Sequence, residues 1–123
     1  MFKDYGVQIK VTPMIINKPL IAAATKPFVL AILRQGENYG YQIIQKVRNI
    51  SGEEISWSEP MLYPFLQRME KDGLIASRWK IADNKRLRRY YRLTDLGLAE
   101  LENERLHWFK IHSLFRTVLE ESR

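Results

Sequence analysis

Two groups of residues in this chain have types and spacings that could carry chemistry. Lys85, Arg86, Arg88, Arg89 and Arg92 place five cations in the eight positions of "KRLRRYYR", inside an alternating run that bears two tyrosines. Such a cluster draws a polyanion, because each Lys or Arg that meets a phosphate releases a condensed counterion. The other group is the two histidines, His107 and His112. Five residues apart on a helix, they lie about 140° apart around its axis, a poor pair for a shared metal. No HExxH, P-loop or nucleophile elbow occurs. Capping and helix-face duty account for Ser58 and the scattered carboxylates. The residues therefore point to a binding protein and not to an enzyme, with no metal or cofactor expected.

Composition narrows the partner. Twenty Lys and Arg against fourteen Asp and Glu give a formal charge of +6 over 123 residues, with a pI near 9.7. That balance favours nucleic acid or an anionic membrane surface. The absence of cysteine excludes disulfides, thiolate metal sites and thiol catalysis. Lys3, Asp4 and Lys10 interrupt any secretory signal, and no apolar run approaches the roughly 18 to 20 residues of a membrane span. The expectation is one soluble, cytoplasmic domain, small enough that a partner subunit would help it bury surface.

The elements that must position the cations follow from periodicity. Residues 1 to 18 read as an N-terminal arm with a possible short strand over "YGVQIKV". From Pro19 the small apolar run "PLIAAATKPFVLAIL" predicts a helix ending before Gly36, with Pro27 in its first turn or at a kink. Asn38 is placed to cap a second helix that buries Ile43, Ile44 and Val47 and ends near Gly52. Ser58 caps a third, short helix, in which Leu62, Phe65, Leu66 and Met69 recur at helical spacing and Gly73 supplies the stop. Its other face carries Pro60, Pro64, Gln67, Arg68 and Lys71. "LIASRWKI" and "LRRYYRL", separated by a polar turn at Asp83 and Asn84, predict a two-stranded hairpin. Thr94 then caps a long last helix running to the C-terminus.

Three helices followed by a basic hairpin is the order of a winged helix-turn-helix, so the fold class expected is mainly α with a small β-hairpin. Residues 19 to 94 would form the DNA-binding domain and 95 to 123 a dimerisation helix. In that architecture the third helix lies in the major groove and the hairpin reaches phosphates beside it. Lys85, Arg86 and Arg88 near the tip are better placed for this than Arg92, since alternation sends only some of the cations to one surface. The last helix carries a stripe of Leu98, Leu101, Trp108, Phe115 and Leu119, widened by Ile111, Leu114 and Val118. So apolar a helix needs a cover, either the first helix or a second subunit. A winged helix that serves protein interaction or RNA binding is the alternative reading.

"YGYQIIQ", "LYPFLQRMEKDGLI" and "RRYYRLTDLG" together resemble the PadR family of transcriptional regulators. The matching motifs are Gly40 and Tyr41, Leu62 to Pro64, and Tyr90 to Thr94, in order over roughly residues 28 to 97. The resemblance implies a homodimeric repressor of operator DNA. Its contacts would come from Ser58, Tyr63, Pro64, Gln67, Arg68 and Lys71 on the third helix and Lys85, Arg86, Arg88 and Arg89 on the wing. Dimerisation would fall to the last helix through Leu101, Ile111, Phe115, Val118 and Leu119. Trp108, eleven residues beyond Gly97, is similar in position to the tryptophan that sandwiches planar aromatic drugs in a multidrug-sensing subgroup. An effector site there would include Leu20, Ala23 and His112. The alternative for Trp108 is ordinary dimer packing, and His112 stands where a carboxylate would favour cationic drugs.

Overall fold

A computed structural model describes residues 17–122; the expected strand within residues 5 to 11 lies outside them. Helix α1, Lys18–Arg34, starts at Asn17, whose side-chain oxygen accepts the Leu20 N–H at 3.0 Å. Lys18 is thus already helical and does not belong to an arm. Pro27 sits inside α1, buried, so it neither starts nor ends the helix. It removes one backbone donor, while Val29, Leu30, Ile32 and Leu33 behind it anchor the helix in the core.

Strand β1, Asn38–Tyr39, precedes helix α2, Gly40–Ile50. The expected cap at Asn38 is not made. Tyr39 occupies the cap position with extended backbone and no side-chain cap, and the Asn38 carbonyl oxygen of its amide accepts the Tyr39 N–H at 3.0 Å. The reason is a third strand: Asn38 and Tyr39 pair antiparallel with Tyr91 and Tyr90, so the sheet fixes the backbone where a cap would otherwise turn it. Ile43, Ile44 and Val47 are buried as the periodicity requires.

Helix α3, Glu59–Lys71, begins at Ser58, whose hydroxyl oxygen accepts the Met61 N–H at 3.3 Å. Leu62, Leu66 and Met69 enter the core, while Phe65 is only half-buried. Gly73, at φ +80°, lets Leu74 N–H reach the Met69 carbonyl at 2.9 Å and Gly73 N–H the Glu70 carbonyl at 3.0 Å. This paired closure satisfies the last carbonyls of the helix and turns the chain into the sheet.

Strands β2, Ile75–Ile81, and β3, Leu87–Leu93, form the hairpin, and the sheet order is β1-β3-β2. Its turn closes through Lys85 N–H to the Ala82 carbonyl at 2.8 Å, with Lys85 at φ +66°. A three-residue loop ending in a left-handed residue is a common hairpin connection, here with a lysine at the left-handed position.

Helix α4, Asp95–Glu121, is capped by Thr94, whose hydroxyl oxygen accepts Gly97 N–H at 3.0 Å. The same hydroxyl donates to the Gly73 carbonyl at 2.6 Å, fixing the helix start to the end of α3. Leu101 packs partly against the core, and Lys26 of α1 bridges Glu100 at 2.6 Å and Glu104 at 3.3 Å. From Arg105 onward every described residue of α4 is exposed, including Ile111, Phe115, Val118 and Leu119. Within one chain, then, α1 covers only the first turns of the apolar stripe. No helix among the described residues is long and apolar enough to cross a membrane.

Candidate nucleic-acid interface

The period of α3 puts Leu62, Leu66 and Met69 inward and leaves Pro64, Gln67, Arg68 and Lys71 exposed, with Tyr63 at the margin. Ser58 is exposed and spends its side-chain oxygen on the cap. Burial raises the Tyr63 phenol above its ordinary value, so it stays a neutral donor and acceptor at physiological pH.

The hairpin stands beside this face. A groove of about 320 Å³ is lined by Tyr63 and Gln67 from α3 and by Trp79, Leu87, Arg88 and Arg89 from the wing. The structure therefore brings part of the expected helix set and part of the expected wing set to one concave surface. Arg68 and Lys71 remain on the open side of α3, and Lys85 and Arg86 are exposed in and beside the turn.

The wing cations are not equivalent. Arg89 donates to Ser77 Oγ at 2.9 Å and to Glu70 at 3.0 Å, which ties the wing to α3 and half-neutralises that guanidinium. Arg88 lies over the Tyr39 ring at 5.1 Å, and its buried Nε has no partner among the described residues. No carboxylate pairs with Arg88 among the described residues, so its charge is not cancelled as that of Arg89 is. Arg78 and Lys80, which the charge count of the basic run omits, both contact Glu37, at 2.9 and 2.7 Å. Hydrogen bonds from Arg78 and then Lys80 hold the Glu37 carboxyl down to about 2, so it is ionised wherever the protein is folded near neutrality. Glu37 fixes the base of the wing against the β1 lead-in and cancels charge that would otherwise add to the surface.

A second concavity, about 720 Å³, lies between α1 and α4 and is lined by Phe28, Ala31 and Arg34 on one side and Leu101, Glu104 and Trp108 on the other. Trp108 Nε1 donates to Glu104 Oε2 at 3.1 Å. Leu20, Ala23 and His112, expected to share this site with Trp108, do not line it; all three are exposed. The α1 side of the groove is made by Pro27, Phe28, Ala31, Arg34 and Gln35, next to the Lys26 bridges to Glu100 and Glu104. The carboxylate at Trp108 comes from the preceding turn, as Glu104, and not from the following one. Among the described residues no group of three His, Asp or Glu side chains is placed to hold a metal ion.

Helices α1 to α3 with the β2–β3 hairpin beside α3 define a winged helix-turn-helix. The model of the transcriptional regulator PadR-like family matches residues 29–103, and the chain belongs to that family, whose members are DNA-binding transcriptional regulators. A transcriptional regulator of Mycobacterium tuberculosis is 35% identical over 83 residues, covering 68% of this chain and 74% of its own. The negative transcriptional regulator PadR of Bacillus subtilis is 33% identical over 75 residues, 61% of this chain and 41% of that protein. Among solved structures, a PadR family regulator from Eggerthella lenta superposes with a TM-score of 0.72 at 31% identity, over 83% of this chain and 87% of that one.

Proposed function

We propose that this protein is a repressor that binds an inverted-repeat operator as a homodimer, reading the major groove with α3 and contacting phosphates with the wing. The observation that carries the reading is the shared groove, in which Gln67 of α3 and Arg88 of β3 face one concave surface. A negative role is supported by similarity to a relative described as a negative transcriptional regulator. Dimerisation is supported by the uncovered apolar length of α4.

Removing a phosphate contact should flatten the dependence of log K on log salt by about 0.9 per contact. Arg88→Ala should therefore weaken binding to every sequence and lower the slope by about two per dimer. Gln67→Ala should instead change which sequence is preferred. Binding to duplexes selected from a random pool, measured over a salt series, separates the two. An Arg88→Ala protein with parental affinity and slope removes the wing from the interface. A parent that ignores duplex DNA but retains RNA makes the RNA-binding reading the correct one.

The α1–α4 groove supports a planar aromatic effector that stacks on Trp108 and weakens DNA binding. In the dimer, Leu20, Ala23 and His112 would complete the site from beyond the groove, while Glu104 sets its polarity. Stacking adds roughly 0.5–1.5 kcal/mol per aromatic pair to apolar burial, enough for micromolar affinity. A variant with Trp57 and Trp79 changed to Phe should be quenched by a panel of flat dyes at micromolar concentration, and calorimetric titration with the same dyes should show binding to this variant that is lost when Trp108→Ala is added. Equal binding to both makes Trp108 a packing residue.

A further inference from the structure

Phe28 stands between two parts of the molecule. It lines the α1–α4 groove together with Ala31, Leu101 and Trp108, and its ring also packs against Trp57, with centroids 6.4 Å apart and planes inclined at 46°. Trp57 is not part of the groove. It is 5% exposed and belongs to the buried cluster. Its indole N–H has no partner among the described residues, so the packing of neighbouring side chains is what places the ring.

Trp57 is also where the recognition helix takes its bearing. Ile55 and Trp57 are buried while Ser56 and Ser58 are exposed, so two alternate side chains anchor the link from α2 to α3. Ser58 follows Trp57 directly, with extended backbone, and its hydroxyl oxygen caps the helix at the Met61 N–H. No residue from Ser58 to Met61 is fully buried; the next that is, Leu62, lies one turn into α3. The first turn of the recognition helix is therefore held by the indole ahead of it and the leucine behind it.

We propose that Phe28 and Trp57 are positioning residues that couple the α1–α4 groove to the first turn of α3. This rests on the effector reading above and assigns the side chains that carry its effect to DNA. A planar ring stacked on Trp108 shares the groove with Phe28 and selects among the staggered rotamers of that side chain, which are about 120° apart. The indole on its other side is close-packed and has no void in which to absorb such a step. It shifts, and the cap at Ser58 shifts with it. One side chain with discrete settings, biased by the ligand at one end and by DNA at the other, is the two-state element that coupling between separate sites requires.

The test reads the coupling itself. The probe is riboflavin, an uncharged planar aromatic, together with a short duplex recovered by the parent protein from a random-sequence pool. In the parent, saturating riboflavin should raise the duplex Kd about tenfold, and the duplex should raise the riboflavin Kd by the same factor. In Trp57→Leu that factor should fall to within about twofold of one, while riboflavin and duplex each still bind. Phe28→Leu should lose it too. This second variant alters a groove wall and with it the riboflavin affinity, but the Kd values with and without duplex compare one variant with itself. Because Phe28 is already 40% exposed, Phe28→Leu leaves the core closed and decides the matter if Trp57→Leu does not fold. Residues that merely support the fold would lower the Tm or both affinities and leave the factor at its parental value. A parental factor in the folded variants overturns the proposal and leaves the Thr94–Gly73 contact, at the other end of α3, to carry the effect. Riboflavin that binds the parent without changing its duplex affinity overturns it as well, with the groove still a ligand site. A parent that binds no riboflavin, or recovers no duplex, gives a different result, because it removes the effector or the DNA-binding reading itself and the coupling with it.

Discussion

Cutting the chain after Arg105 should leave a folded monomer that no longer holds specific DNA. The deletion removes the part of α4 that is exposed throughout, including Phe109, Ile111, Phe115 and Val118, each more than 60% accessible. What remains keeps the Thr94 cap, the Lys26 bridges to Glu100 and Glu104, and the whole buried cluster from Val29 to Tyr91. Stability of the winged helix should therefore change little. Association is another matter, since burying each such side chain at an interface contributes roughly 1.5–3 kcal/mol. Two half-sites are held in register only while the two α3 helices are fixed to each other. Losing that linkage should lower operator affinity roughly 10²- to 10⁴-fold, the usual range for removing one of two tethered contacts. Sedimentation velocity together with DNA titration checks both halves. A truncated protein that stays dimeric would place the interface elsewhere.

Gly97→Ala should have the opposite signature, with severe loss of stability. A Cβ at this position would stand 2.0 Å from the Leu74 carbonyl oxygen and 2.8 Å from Leu93 Cδ1. The leucine methyl can move, but the carbonyl is backbone and accepts the Thr94 N–H at 3.1 Å. Relief requires α4 to back away from the β2 start, which pulls the Thr94 hydroxyl from both Gly97 N–H and the Gly73 carbonyl. Overpacking against backbone plus loss of a cap should cost roughly 3 kcal/mol or more, a fall in Tm of roughly 10 °C or more for a domain of this size. Thermal unfolding followed by circular dichroism measures it. A melting point within a few degrees of the parent would mean that the start of α4 is not fixed as described.

These two sites differ in how far the sequence discloses them. The "TDLG" segment announces a cap at Thr94, and the structure adds why a glycine must follow, a contact that no local pattern contains. The hairpin is visible because period-2 alternation and a polar turn coincide over residues 75 to 93. The apolar period of α3 likewise exposes its outer face. Strand β1 is hidden because two residues carry no period, and its partners Tyr90 and Tyr91 are far along the chain. An asparagine before a helical pattern reads the same whether it caps or pairs, which is how Asn38 is misassigned. The charge run shows how many cations the wing holds but not their partners; Glu70 and Glu37 come from other elements. The Glu104–Trp108 pair is four residues apart on one helix and so was open to inspection. The resemblance directs attention one turn the other way, to His112.

Helix α4 is held along its first turns, and from Arg105 onward its described residues are exposed, Trp108 being the last that lines the groove shared with α1. Residues Arg105 to Glu121 form a rigid lever about 25 Å long, so a tilt of about 5° at the α1–α4 groove carries its far end about 2 Å. The groove with Trp108 is at the fulcrum, and the recognition helix is on the short side of it, coupled through Thr94 and Gly73. In a dimer of the kind proposed, a small wedge at the pivot would become a larger displacement where two such levers cross.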